Sequence, residues 1–122
     1  FVADDALMQR RLGVDRAGAG RSYAFKTMAE HAGLTVGMSS DWPVTDLDPL
    51  AGMFAAAFRR GAYEKDLDTP ARSLAEAIDL ATALAAHTHG AAEVSMMGQL
   101  VGLLRPGMAA DFVILDADPR SM

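Results

Sequence analysis

Asp41 stands in a polar loop, Ser39-Ser40-Asp41-Trp42-Pro43-Val44, immediately after the short apolar run Leu34 to Met38. A carboxylate just past the C-terminal end of a buried strand sits where α/β sheets and (β/α)8 barrels place their reacting groups. There it can ligate a metal, or take a proton from a water whose pKa a zinc ion has brought down to about 7. The residue is equally explained as a loop aspartate that bonds nearby backbone N–H groups through an Asx-turn. Trp42 and Pro43 carry the same two readings, as pocket walls or as packing and turn residues.

His87-Thr88-His89 offers two imidazoles at i and i+2, which on a strand would share one side and could hold one metal. Its surroundings point elsewhere. The pair follows an alanine-rich helical stretch and precedes Gly90, which reads as a helix C-terminus, where the dipole favours His without any metal. His31, just before Gly33, has the same explanation, and with only 3 His in the chain a site of three imidazoles would need them all. Arg16-Ala17-Gly18-Ala19-Gly20-Arg21 lacks a leading strand, the third glycine of a dinucleotide fingerprint and a following Lys-Ser/Thr, so it reads as a flexible loop. Ser39 and Ser40 have neither a G-x-S-x-G setting nor a convincing His partner, which argues against a serine hydrolase. The 8 Met read as core filler rather than a recognition surface.

The elements that must position these residues follow from patterning. Helices are expected over Ala3 to Leu12, stopped by Gly13, and from Ser22 as N-cap through Phe25, Met28, Ala29 and Ala32 to Gly33. A third should start at Asp48-Pro49 and run to about residue 60, with Leu50, Met53, Phe54, Ala57 and Phe58 on one face and Arg59, Arg60 and Gly61 as its cationic stop. A fourth should open on the capping box Ser73-Leu74-Ala75-Glu76 and reach about His87, burying Leu74, Ala77, Ile78, Ala81 and Leu84. Leu34 to Met38 reads as a buried strand. Val101 to Leu104 and Phe112 to Leu115 read as two more, about a turn with Pro106 and Gly107 in type II positions. Val14 to Arg21 and the charged stretch Tyr63 to Thr69 are loops.

At 122 residues, 51% apolar and 22% charged, the chain has the composition of about one globular domain and not of a disordered segment. A net charge of -5 without a basic stripe argues against nucleic acid as a partner class. The absence of Cys removes disulfides, thiolate nucleophiles and thiolate metal sites together. No apolar run approaches the ~20 residues of a membrane span and no signal-peptide pattern opens the chain, so a soluble, cytoplasmic protein is expected. Phe1 in place of an initiator Met suggests a longer chain or a processed product. The strand at 34–38 has no parallel partner in this sequence, and unpaired strand edges are costly. The expectation is therefore the C-terminal piece of a larger α/β protein.

Gly37-Met38-Ser39-Ser40-Asp41-Trp42-Pro43-Val44, followed by Asp48-Pro49-Leu50 and a helix ending in Arg59, resembles the last barrel strand and its loop in amidohydrolases of the YtcJ-like, predicted metal-dependent hydrolase branch. Gly102-Leu103-Leu104-Arg105-Pro106-Gly107-Met108-Ala109-Ala110-Asp111-Phe112-Val113-Ile114-Leu115-Asp116 resembles the signature with which those chains return to a small β-sandwich domain. Leu12 to Arg16, Ser73 to Ala77 and His87-Thr88 are similar to further segments of the branch. The resemblance implies an α/β architecture: residues 1–95 as the C-terminal part of a (β/α)8 TIM-like barrel, and 96–122 as strands of the accessory β-sandwich. It implies hydrolysis of an amide-like C–N bond in a small molecule, with one or two divalent metals, usually zinc. It also gives Asp41 the role of metal contact and proton acceptor and sets Ser39, Ser40 and Trp42 in the substrate pocket. The remaining metal ligands belong to parts of the family pattern outside this chain, so the piece alone should be inactive without the rest of the barrel; an oligomer is compatible. The rival reading is a non-catalytic ligand-binding or assembly domain that keeps the fold without a metal site. A doubly wound nucleotide-binding fragment suffers from the missing phosphate loop.

Overall fold

The computed structural model describes residues 5–13, 22–63 and 71–121. In chain order its helices are α1 (Asp5–Leu12), α2 (Phe25–Glu30), α3 (Pro49–Phe58), α4 (Leu80–Ala85) and α5 (Ala91–Val94). A π-turn, Ala86–Gly90, joins α4 to α5 in one continuous helical stretch, and 3-10 turns cover Leu74–Glu76 and Pro119–Ser121.

α3 forms as its sequence dictates. The Asp48 side chain accepts from Leu50 N at 2.9 Å, Pro49 fills the first turn where its missing N–H costs nothing, and the helix ends at Arg59 in the left-handed conformation, φ 58°. Met53 and Ala56 are buried and Phe54 stacks at 4.6 Å on Phe58. α3 packs against α4, and Met53, Ala56, Ile78 and Ala83 form the core, with Phe25, Ala29, Met38, Leu50 and Leu84 around it. Removing Met53 from water contributes about 2 kcal/mol.

α1 matches its expected span over the described residues, and Gly13 takes φ 82° at its end. Ala3, the loop over Val14 to Arg21 and residues 64–69 of the charged stretch lie outside the described residues.

The fourth helix differs from its expected start and end. Ser73 sits at φ 48° and makes no side-chain cap, and Leu74–Glu76 is a 3-10 turn with Leu74 61% exposed. The helix instead starts at Leu80, where Asp79 accepts from Thr82 N at 2.7 Å and Thr82 Oγ1 at 2.9 Å. The local capping box loses because Glu76 is taken by another helix. Nor does the helix stop at His87. Gly90 is buried inside it because a backbone, not a turn, demands the missing side chain there.

α2 is shorter than expected: Ala24, not Ser22, is its N-cap, and His31 is the C-cap. Ser22 fails as a cap because its position lies two residues too early, in a turn whose carbonyl binds Arg59.

The three expected strands are absent among the described residues. Leu34 to Met38 is irregular, its neighbour in space being a helix rather than a second strand: Met38 N donates to Ala86 O at 2.9 Å. Around Pro106 and Gly107 the expected turn forms, with Met108 N on Arg105 O at 3.2 Å and Gly107 at φ 92°. Val101 to Leu104 and Phe112 to Leu115 do not pair into a hairpin. Ala109 N reaches Leu100 O at 2.9 Å, but no ladder follows, and Val113 and Ile114 stay 82% and 85% exposed. An extended segment becomes a strand only when another backbone takes its hydrogen bonds.

Candidate active site

Asp41 lies three residues beyond the Met38 anchor, at φ 56°, a left-handed conformation that aspartate tolerates better than most residues. Its backbone is fixed from both sides. Asp41 N donates to Ser39 Oγ at 3.2 Å, Val44 N donates to Asp41 O at 2.8 Å, and the Thr45 hydroxyl donates to the Ser40 carbonyl. The Trp42–Pro43 peptide within this turn is cis. Among the described residues no donor reaches the Asp41 carboxylate, so the Asx-turn that could have explained this residue is not made. The side chain is exposed, as are Ser39 and Trp42, the latter by 63%, while Ser40 is half-buried. The four residues named from sequence thus share one turn, with Asp41 as its unpaired acid.

The histidines stay apart from it in chemistry. His87 is half-buried, with Nδ1 on Ala83 O at 2.9 Å and Nε2 close against α3, where a Cβ on Gly52 would come within 2.9 Å. His89 is exposed. Two positions apart on a helical turn, the pair points to roughly opposite sides. His31 Nδ1 engages Ala32 O at 3.0 Å. Among the described residues no group of three His, Asp or Glu side chains is placed to hold a metal ion. An open cleft of about 300 Å³ lined by Leu50, Leu115, Asp116, Pro119 and Ser121 contains none of the site residues.

Patterning missed the polar residues that hold this scaffold. Arg59, expected as part of the cationic stop of α3, is fully buried. Its Nε donates to Arg72 O at 3.0 Å, its two terminal nitrogens reach Tyr23 O at 3.3 Å and Ser22 O at 3.5 Å, and the guanidinium lies 5.2 Å from the Phe25 ring centre. Burial presses its pKa down and the nearby Glu76 carboxylate opposes that. Asp48 accepts from Tyr63 OH at 2.8 Å, which holds the carboxyl below its ordinary range and raises the phenol. A cation at a helix end gives no sequence signal of burial, and Tyr63 lies too far along the chain from Asp48 for spacing to pair them.

The whole chain, residues 1–122, matches the sequence profile of the Amidohydrolase family. It is 32% identical over 120 residues to "Putative amidohydrolase YtcJ" of Bacillus subtilis (strain 168), covering 98% of this chain and 22% of that protein. It is 34% identical over 118 residues to "Protein LONG AFTER FAR-RED 3" of Arabidopsis thaliana, covering 96% of this chain and 19% of that protein. The chain thus spans about a fifth of the length of these curated relatives. Its structure is similar to that of an uncharacterized metal-dependent hydrolase from Pyrococcus furiosus, with a TM-score of 0.75 at 29% identity over 98% of this chain and 22% of that one. With a family match across its full length and two relatives above 30% identity, the chain belongs to the amidohydrolase family.

Proposed function

We propose that the full-length protein carrying these residues is a metal-dependent hydrolase of amide-like C–N bonds in small molecules, with Asp41 as its proton acceptor and one metal contact. The observation that carries this reading is an exposed carboxylate, free of any donor among the described residues, on a backbone fixed by its neighbours. A side chain left unpaired on so constrained a turn suits an outside partner. The single acid fits one contact of a metal site, and the other ligands would come from the remaining four-fifths of the relatives' length. When bound, a divalent metal, zinc by family resemblance, supplies Lewis-acid polarisation of the attacking water. Asp41 then accepts the proton that the water loses as its oxygen bonds to the acyl carbon. The same carboxyl returns that proton to the nitrogen as the C–N bond breaks, leaving an acid and an amine. Ser39, Ser40 and Trp42 would shape the wall on which the substrate rests.

The apolar side chains exposed here, Val44 at 76% and Leu104 at 75% among them, suit burial against the rest of a (β/α)8 barrel and a small β-sandwich, with residues 1–95 in the first and 96–122 in the second. Among the described residues no helix is long and apolar enough to cross a membrane, and a cytoplasmic location is part of the same proposal. The test is full-length protein assayed for metal content and for turnover of N-acylated amino acids, formamides and cyclic amides, wild type against Asp41→Asn. Bound metal and turnover lost in the variant support the reading. Unchanged turnover in the variant, or a protein that binds no divalent metal, refutes it.

A further inference from the structure

The segment leading to Asp41 lies on the helix behind it with almost nothing between the two backbones. A Cβ on Gly90, at the end of the π-turn, would stand 2.3 Å from Val36 O. A Cβ on Gly37 would stand 2.4 Å from Val94 Cγ2, 3.1 Å from Gly90 O and 3.2 Å from Ala91 Cα. Next to Gly37, Met38 N donates to Ala86 O at 2.9 Å, the first carbonyl of the same π-turn. Neither glycine needs its freedom for a left-handed turn, since neither has a positive φ. At Gly90 the Val36 carbonyl leaves no room for a methyl group, and at Gly37 the Val94 side chain takes that room, with backbone close behind it at 3.1 and 3.2 Å.

We propose that Gly37 and Gly90 are positioning residues for Asp41, setting the depth at which its carboxylate stands by letting Val36–Met38 seat directly on the π-turn. The proposal rests on the reading of Asp41 as proton acceptor. The mechanical link is short. Met38 is tied to Ala86, and three residues on, Ser39 Oγ takes Asp41 N and Asp41 O takes Val44 N, so the loop that carries the acid is braced within itself and starts directly from the seat. A methyl group at either glycine lifts the segment away from the helix, and the lift reaches Asp41. Proton transfer is steep in distance, and a misplacement of about 1 Å costs on the order of 100-fold in rate.

The two contacts differ in a way that makes them testable. The nearest obstacle to a methyl at Gly37 is a side-chain atom, Val94 Cγ2, which Val94→Ala removes; at Gly90 it is backbone, which no substitution removes. In the full-length protein, Gly37→Ala should lower kcat by about tenfold or more with KM within about twofold of wild type. Gly37→Ala combined with Val94→Ala should return most of that loss, Val94→Ala alone should behave as wild type, and Gly90→Ala should lose activity that Val94→Ala does not restore. Hydrogen–deuterium exchange gives a second readout independent of turnover. Gly37→Ala should speed exchange at residues 36–44, the double variant should reverse it, and residues 53–56 of α3 should not change. The panel of N-acylated amino acids, formamides and cyclic amides is the activity probe. If Asp41→Asn keeps full turnover, the proton-acceptor reading fails while the exchange pattern still judges the seat. If Asp41→Asn is inactive yet Gly37→Ala matches wild type in kcat and exchange, the positioning role is overturned. A Gly37→Ala protein that unfolds and is not restored by Val94→Ala overturns it as well.

Discussion

Glu76 caps the first turn of a distant helix through Thr27, 49 residues before it. Its Oε2 accepts Thr27 N at 2.9 Å and its Oε1 accepts Thr27 Oγ1 at 2.6 Å, so the carboxylate serves the first turn of α2, whose own N-cap, Ala24, has no side chain to offer. A helix leaves its first N–H groups without intrahelical partners, and an anion there also meets the positive end of the dipole. The Thr27 hydroxyl, first among several causes, holds the Glu76 carboxyl below its ordinary range.

That shift has a pH signature. Because the folded value is depressed, the stability Glu76 contributes is present above the ordinary glutamate range and is lost as the pH falls through the lowered folded value. Wild-type full-length protein should therefore melt above Glu76→Gln at neutral pH, and the two melting temperatures should converge in acid. Calorimetry from pH 7 to pH 3 checks this; a gap that persists unchanged into acid would assign the effect to something other than the carboxylate.

Arg59 is the buried counterpart of this contact. Its guanidinium satisfies three carbonyls from two separate segments, Ser22 and Tyr23 on one and Arg72 on the other. Arg59→Met keeps most of the volume but removes this donor from the Ser22 and Arg72 carbonyls, at about 1–3 kcal/mol for each left unsatisfied, while Tyr23 O still accepts from Phe25 N at 2.8 Å. The expected loss is about 2–4 kcal/mol in urea unfolding of the full-length protein. Arg59→Lys should recover only part of it, since an ammonium cannot spread donors across that fork.

Two caps that look alike in sequence should respond differently. Asp79→Ala removes the acceptor of Thr82 N and should cost about 1 kcal/mol. Ser73→Ala, at the Ser-x-x-Glu motif that sequence favours, should stay within about 0.5 kcal/mol, because Ser73 caps nothing. Comparable losses for the two would mean that the helix starts at Ser73 after all.

The features legible in the sequence were those decided within one turn of chain. Asp48-Pro49 opened α3 as its local chemistry requires, and Pro106-Gly107 made its turn, because both depend on neighbours a few residues away. Ser73-Leu74-Ala75-Glu76 misled for the opposite reason: it satisfies a local rule, but Thr27 competes for the same carboxylate across the fold. Leu34–Met38 carried a strand's composition without a strand's partner. Its contact with Ala86 and Gly90 depends on a π-turn that no hydrophobic period encodes. The candidate site was legible as far as Asp41's place in its loop. The fixing of its backbone by Ser39 Oγ and Val44 N was not, because serine beside aspartate is common in loops of every kind.

Asp41 separates charge from backbone in a way that a substitution series can read. At φ 56° a Cβ-bearing residue without a short polar side chain is strained, whereas Asn and Gly occupy that region readily. Asp41→Asn and Asp41→Gly should therefore both fold as wild type and both lose turnover, by about 100- to 10,000-fold if the carboxylate carries the proton. Asp41→Ala should show the same loss of turnover and, in addition, a stability cost of about 1 kcal/mol from the left-handed backbone. Thermal melts and kcat measured on the three full-length variants check this together. If Asp41→Asn and Asp41→Gly differ from wild type in stability but not in turnover, the residue is a turn former and its carboxylate has no part in the chemistry.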